Sequence, residues 1–137
     1  YNYLAKIYEY EEQYQLAVQY YEKIIDIELK QNNSVDKLYI HCGDIIGRIG
    51  DYEKEIVFYK KALESLLKTI SSDDQSLWVL YLAMGSAYLL NNDIQQSIEY
   101  LGKVEVVYNT DNNLMTNDAI ASCYGNLGAC YKLMNDY

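Results

Sequence analysis

The sequence predicts an all-α protein, a right-handed α-solenoid of stacked antiparallel helix pairs. Three observations predict it. Apolar and aromatic residues recur at i, i+3, i+4 and i+7 along most of the chain, the stripe of an amphipathic helix, and no stretch alternates as a strand does. The stripes come in pairs that repeat: the equivalent residues Tyr14, Tyr52, Ile94 and Tyr137 lie 38, 42 and 43 positions apart. Small residues fall at one register position in each repeat, at Ala5, Gly43, Gly85 and Gly128. Paired helices of this length cannot each bury a face alone, so they stack.

The elements follow in order. The first repeat, 1–33, holds helices over 1–11 (Tyr1, Leu4, Ala5, Tyr8) and 13–30 (Tyr14, Ala17, Tyr21, Ile24), closed by the polar link Gln31-Asn32-Asn33-Ser34. The second, 34–71, holds helices over 34–49 (Tyr39, Cys42, Gly43, Ile46) and 52–70 (Tyr52, Glu55, Tyr59, Ala62). Between them Gly50-Asp51 reads as a helix stop followed by an N-cap. The third, 72–114, opens on Ser72-x-x-Gln75, a capping-box pattern, and holds helices over 73–91 (Tyr81, Met84, Gly85, Tyr88) and 94–107 (Ile94, Ser97, Leu101, Val104). Asn92-Asp93 supplies the turn, and Asp93-x-x-Gln96 is a second capping-box pattern. The fourth, 115–137, is incomplete: a helix over 115–134 (Tyr124, Leu127, Gly128, Tyr131), then Tyr137 as the opening of a partner helix. The whole, 1–137, reads as a single array of about three and a half repeats and a fragment of a longer solenoid. Its uncapped ends are expected to favour self-association.

The small residues carry a packing argument. Ala5, Gly43, Gly85 and Gly128 stand where a first helix presses on its partner, with Ala17 and Ser97 on the facing helix. Glycine inside a helix costs about 1 kcal/mol against alanine, so a glycine kept in register needs a packing reason. Tyr8, Tyr59, Tyr88 and Tyr131 complete the buried stripe. Glu55 departs from the pattern by standing where a small residue belongs, and it is expected to loosen or rotate the second repeat's second helix.

Composition narrows the function classes. With 11 basic and 20 acidic residues the net charge is −9, which argues against binding a phosphate backbone or an anionic membrane surface. Apolar runs such as Leu77 to Ala83 are far below the ~20 residues of a membrane span. The chain has no proline, which excludes collagen-like and polyproline readings. Cys42, Cys123 and Cys130 form neither a disulfide framework nor a CxxC half-site, and read as buried thiols of a reducing, cytoplasmic compartment. Cys123 and Cys130 are seven apart and share a helix face. His41 is the one histidine, so a zinc site is not expected. Gly43 to Gly50 lacks the phosphate-loop order. The acidic stretches Glu9 to Glu12 and Asp73-Asp74 read as caps and solvated faces. No metal, no cofactor and no catalysis are expected.

The aromatic–Leu-Gly–Tyr first helix and the small–aromatic–small second helix resemble the tetratricopeptide repeat family, with Asn126-Leu127-Gly128 and Tyr131 the nearest copy. The long period, and the extended second helix ending Ile24-Ile25-Asp26-Ile27-Glu28-Leu29-Lys30, resemble the roughly 42-residue repeats of kinesin light chains. The family's proline near the repeat end is absent. The resemblance implies a concave groove lined by the first helices. Mapped onto this chain, the first helix contributes Asn2, Lys6, Glu9 and Tyr10, and the second repeat Lys37, Ile40, Asp44, Gly47 and Arg48. The third contributes Val79, Leu82, Ser86, Leu89 and Leu90, and the fourth Ser122, Gly125, Ala129, Lys132 and Leu133. Four of these are basic and two acidic, against a chain of −9. That balance suits a peptide with acidic and large apolar residues.

The resemblance also implies which partner is absent. Co-chaperone repeats clamp the C-terminal carboxylate of heat-shock chaperones with Lys, Asn, Asn, Lys and Arg. The matching residues here are Asn2, Lys6, His41, Val79 and Ala83, so two cationic positions are apolar and the clamp is lost. The expected function is a non-catalytic protein-interaction scaffold or adaptor. The alternatives are a regulatory or sensor array fused to a catalytic domain elsewhere in a longer chain, and a structural segment whose groove its own chain fills.

Overall fold

Among the described residues seven α-helices and one 3₁₀ turn make up the fold, and no strand occurs. The computed structural model describes residues 1–135. Tyr137, read above as the start of a further helix, lies outside them. The helices are α1 (Asn2–Tyr10), α2 (Tyr14–Lys30), α3 (Asp36–Ile49), α4 (Tyr52–Leu67), α5 (Trp78–Leu90), α6 (Ile94–Thr110) and α7 (Asn117–Asn135). The second helices begin at Tyr14, Tyr52 and Ile94, giving repeat lengths of 38 and 42 residues.

The chain forms two compact units, Tyr1–Ile70 and Ser71–Tyr137, with the break one residue before the repeat boundary expected at 71/72. The first unit holds α1 to α4. Its core gathers Ala5, Ala17, Val18, Ile25, Cys42 and Ile45, all at most 3% exposed. The second holds the 3₁₀ turn (Gln75–Leu77) and α5 to α7, around Leu80, Met84, Leu101, Val104, Cys123 and Cys130. Burial of whole Leu, Ile and Met side chains, worth roughly 1.5–3 kcal/mol each, is what holds each unit.

Caps set the helix limits, and here the expectations need correction. Gly50 ends α3 at φ 89°, and the Asp51 carboxylate accepts the Lys54 N–H at 3.1 Å, as read from the sequence. The Ser72–Gln75 box does not form. Asp74 caps instead, accepting the Ser76 N–H at 2.9 Å, so the expected 73–91 helix begins as a 3₁₀ turn and becomes α-helical only at Trp78. Asp93 takes the N-cap position of α6, but its carboxylate accepts from Asn91 Nδ2 at 2.9 Å and no capping box closes.

The small-residue register has a physical cause in two repeats. A Cβ on Gly43 would lie 2.6 Å from Tyr59 Cε1, and one on Gly85 would lie 2.6 Å from Leu101 Cγ. Each glycine lets a large side chain of the partner helix touch backbone. Ala5 and Ala17 are fully buried, as are Ser97 and, to within 4%, Tyr59 and Tyr88. Tyr8 is half-buried and stacked on Tyr20 at 5.4 Å. The fourth repeat differs from expectation. A Cβ on Gly128 would meet nothing within 4 Å, and Tyr131 is 52% exposed rather than buried. Leu127 of the same stripe is buried, so only the Gly128–Tyr131 side of α7 is left open.

One recurring feature was not read from the sequence. An ammonium sits over two aromatic rings in every complete repeat: Lys23 over Tyr1 and Tyr20, Lys61 over Tyr39 and Phe58, Lys103 over Tyr81 and Tyr100, at 4.8–6.0 Å. Each lysine follows an aromatic of the second helix by three positions, one helical turn, so its stem covers the ring pair while its charge stays in water.

A candidate protein-interaction face

Helix geometry places the candidate groove residues. Each first helix turns the stripe of apolar and small residues onto its partner, and the positions beside that stripe stay outside. On α1, Asn2, Lys6 and Tyr10 are exposed, Tyr10 almost wholly. On α3, Lys37, Asp44 and Arg48 lie outside the core and Ile40 is half-buried. The Arg48 guanidinium lies 5.9 Å from the Tyr14 ring.

Three residues mapped to the α1 and α3 faces, Glu9, Asp44 and Gly47, are engaged within the first unit. Glu9 is half-buried and pairs with His41, Oε1 to Nε2 at 2.7 Å, while the imidazole stands edge-on to Tyr21 at 5.0 Å. This pair ties α1 to α3. Gly47 lies against the Glu55 carboxyl group of α4, and a Cβ there would sit 2.7 Å from one oxygen and 2.8 Å from the other.

Glu55 itself is buried at 9% exposure, and its Oε2 has no hydrogen-bond partner. The loosening expected at this position therefore does not follow from steric bulk, because Gly47 leaves room for the carboxyl. Tyr59 donates its hydroxyl to Asp44 Oδ1 at 2.5 Å. Burial, and beyond it the Asp44 carboxylate, push Glu55 above the ordinary carboxylate range, while the Tyr59 hydroxyl pulls the other way. Burial and the hydrogen bond to Asp44 push the Tyr59 phenol up, so it stays a donor. Sequence reading singled out Glu55 as a misfit and Asp44 as a surface residue. It did not join them, because the link runs through a tyrosine assigned to the core.

In the second unit the candidate face is apolar. Val79 is 57% exposed and Leu90 59%, with Leu82 and Leu89 half-buried. Ser86 is half-buried and accepts from Asn126 Nδ2 of α7 at 2.9 Å, which binds α5 to α7. On α7, Ser122, Gly125, Ala129 and Lys132 are exposed, and Leu133 is half-buried.

The thiols lie away from these faces. All three are free and buried. Burial pushes Cys42 up to about 12 and Cys123 up to about 11. Cys123 donates to the Leu101 carbonyl and Cys130 to Ser97 Oγ, from the shared face that their spacing predicted. Among the described residues no three His, Cys, Asp or Glu side chains gather as a metal site, and no helix is long and apolar enough to cross a membrane.

Comparison with known proteins bears on the same elements. The tetratricopeptide repeat family model matches residues 1–31 and 79–105, which are α1–α2 and α5–α6. Those helix pairs are thus similar to tetratricopeptide repeats, and their spacing of 38 and 42 residues is longer than the usual length of about 34. The crystal structure of BtubC (BKLC) from P. vanneervenii is similar, with a TM-score of 0.81 at 19% identity over 97% of this chain and 54% of that one. The chain thus spans about half the length of that protein, and at this identity the likeness shows the fold alone: an all-α fold of the α-solenoid class. No curated protein matches the chain in sequence.

Proposed function

We propose that this array of tetratricopeptide repeats is a non-catalytic interaction scaffold that takes a protein partner, as an extended or helical peptide, on the outer faces of its first helices. One observation carries the reading. Side chains beside the packing stripe stay accessible: cationic in the first unit, at Lys6, Lys37 and Arg48, and apolar in the second, at exposed Val79 and half-buried Leu82 and Leu89. In a chain of net charge −9, such a local excess of cations is a selective feature for an acidic peptide bearing large apolar residues.

The heat-shock carboxylate clamp is not part of the reading. His41 is held by Glu9, and Val79 and Ala83 offer no cation. The buried, unreactive thiols suit a cytoplasmic protein.

The test is selection of peptides on the chain from a displayed random library, followed by binding of the selected peptides to variants. Lys37→Glu combined with Arg48→Glu is expected to weaken acidic peptides at least tenfold with an unchanged circular dichroism spectrum. Affinity is expected to fall as salt rises. Peptides that bind the double variant equally well, or that footprint on the second helices, overturn the reading.

A further inference from the structure

The first unit exposes two aliphatic side chains that the repeat does not call for. Three positions before each second helix begins, the register holds Glu11, Ile49 and Asn91. At the third position of each second helix it holds Leu16, Lys54 and Gln96. Only Ile49 and Leu16 are apolar, and both stay accessible, at 41% and 39% exposure. An exposed aliphatic residue on its own is ordinary. These two come from different repeats and yet line the same cavity.

That cavity, of about 480 Å³, lies where the turn from α1 to α2 meets the end of α3, and its walls are Glu12, Gln13, Tyr14, Gln15, Leu16 and Ile49. Arg48, next to Ile49 and exposed, holds its guanidinium 5.9 Å from the ring of Tyr14. A guanidinium resting its face on a ring keeps N–H donors at its edge, and that edge is what pairs with a carboxylate. Glu12 is the charged residue of the lining itself and repels an anion, so Arg48 decides where a carboxylate can lie. The walls offer the methyl groups of Leu16 and Ile49, and the one ring among them, Tyr14, already carries Arg48. The contact available is therefore aliphatic rather than ring on ring.

We propose that this cavity receives a large aliphatic side chain of the protein partner, leucine or isoleucine, and that Arg48 pairs with a carboxylate next to it. The inference rests on the scaffold reading and deepens it: it places one anchor of the acidic, apolar partner at the C-terminal end of α3. A buried apolar anchor beside a charged pair is the arrangement in which a few residues carry most of a binding energy.

The experiment uses the full chain with ¹³C-labelled leucine and isoleucine methyl groups. The probe is N-acetyl-leucine, which carries the aliphatic side chain beside a free carboxylate. N-acetyl-leucine amide lacks the charge, N-acetyl-alanine lacks the large side chain, and N-acetyl-phenylalanine substitutes a ring. The probe is expected to move the Leu16 and Ile49 methyl signals saturably, with all three comparators at least threefold weaker. Ile49→Asn and Leu16→Gln, which bring in residues found at the same register in the third repeat, are expected to abolish the response at the remaining methyl with an unchanged melting curve. Arg48→Gln is expected to reduce N-acetyl-leucine to the level of its amide and to leave the amide unaffected. Methyl signals that stay still, an equal response to N-acetyl-alanine or N-acetyl-phenylalanine, or full binding in Arg48→Gln overturns the proposal. Selected peptides that bind α3 without moving these methyl signals would remove this inference and leave the scaffold standing. A saturable N-acetyl-leucine response with no peptide binding would do the reverse.

Discussion

The helix pairs α3–α4 and α5–α6 occupy the same place in their repeats and meet the same packing demand with opposite chemistry. Each presses a large side chain onto a first-helix glycine, Tyr59 on Gly43 and Leu101 on Gly85. In α5–α6 the polar group at the crossing is satisfied internally. Ser97 is fully buried, donates to the Gly85 carbonyl at 2.7 Å and accepts the Cys130 thiol. In α3–α4 the equivalent residue is Glu55, and the volume it adds is removed from the facing helix at Gly47. The difference teaches that the repeat fixes a summed volume at the crossing rather than a residue type. Chemistry can change there if the two helices change together.

The largest effects should come from removing the two large side chains. Tyr59→Ala is expected to cost about 3–5 kcal/mol and Leu101→Ala about 2–5 kcal/mol, read by urea unfolding. Tyr59→Phe separates ring from hydroxyl and should cost only about 1 kcal/mol, the net worth of one hydrogen bond. If Tyr59→Phe costs as much as Tyr59→Ala, the polar link to Asp44 and not the ring holds α3 to α4.

A middle-sized contrast comes from filling the glycines. Gly43→Ala pushes a methyl into a rigid ring whose hydroxyl is tied to Asp44, and a net loss of about 1–3 kcal/mol is expected. Gly85→Ala meets Leu101, which can rotate, and alanine returns about 1 kcal/mol of helix propensity, so the net change should stay within about 1 kcal/mol. Thermal melts of the two variants decide it. A larger loss at Gly85 would show that the apolar pair is the stiffer of the two.

The fold was legible because the repeat writes it four times. Gly43, Gly85, Ala5 and Ala17 pointed to close crossings, and the crossings are there. Gly128 and Tyr131 carried the same signal without the same outcome, since a register position reports a contact only where a partner helix is present. Helix starts were less legible. Asp74, Ser72 and Asp93 are all competent caps, and which one closes depends on local backbone geometry that composition does not encode. The outward faces of α1, α3 and α5 were readable from the stripe, whereas the Glu9–His41 and Asp44–Tyr59 links join residues 32 and 15 positions apart. Only the repeat register could have exposed the Glu55–Gly47 exchange, by setting Ala17 and Ser97 beside the one, and Glu9 and Leu89 beside the other.

The smallest expected effect is on pH dependence, and it isolates the charge that separates the two pairs. Burial raises Glu55 above the ordinary carboxylate range, so the folded state binds its proton more tightly than the unfolded state does. Such a group adds stability that is fully present below the unfolded carboxyl value and is lost as pH rises through the higher folded value. Glu55→Gln cannot lose a proton. Relative to that variant, the natural protein should therefore be favoured most in acid and decline through the weakly acidic range, levelling off once Glu55 is ionised. Asp44 contributes to the shift as a like charge, so placing Asp44→Asn in both backgrounds should narrow the window. The measurement is the difference in melting temperature between the natural chain and the Glu55→Gln variant across pH, which cancels the titration of the other carboxylates. A difference that stays flat with pH would mean that Glu55 is solvated in solution, and α3–α4 would then differ from α5–α6 in shape alone.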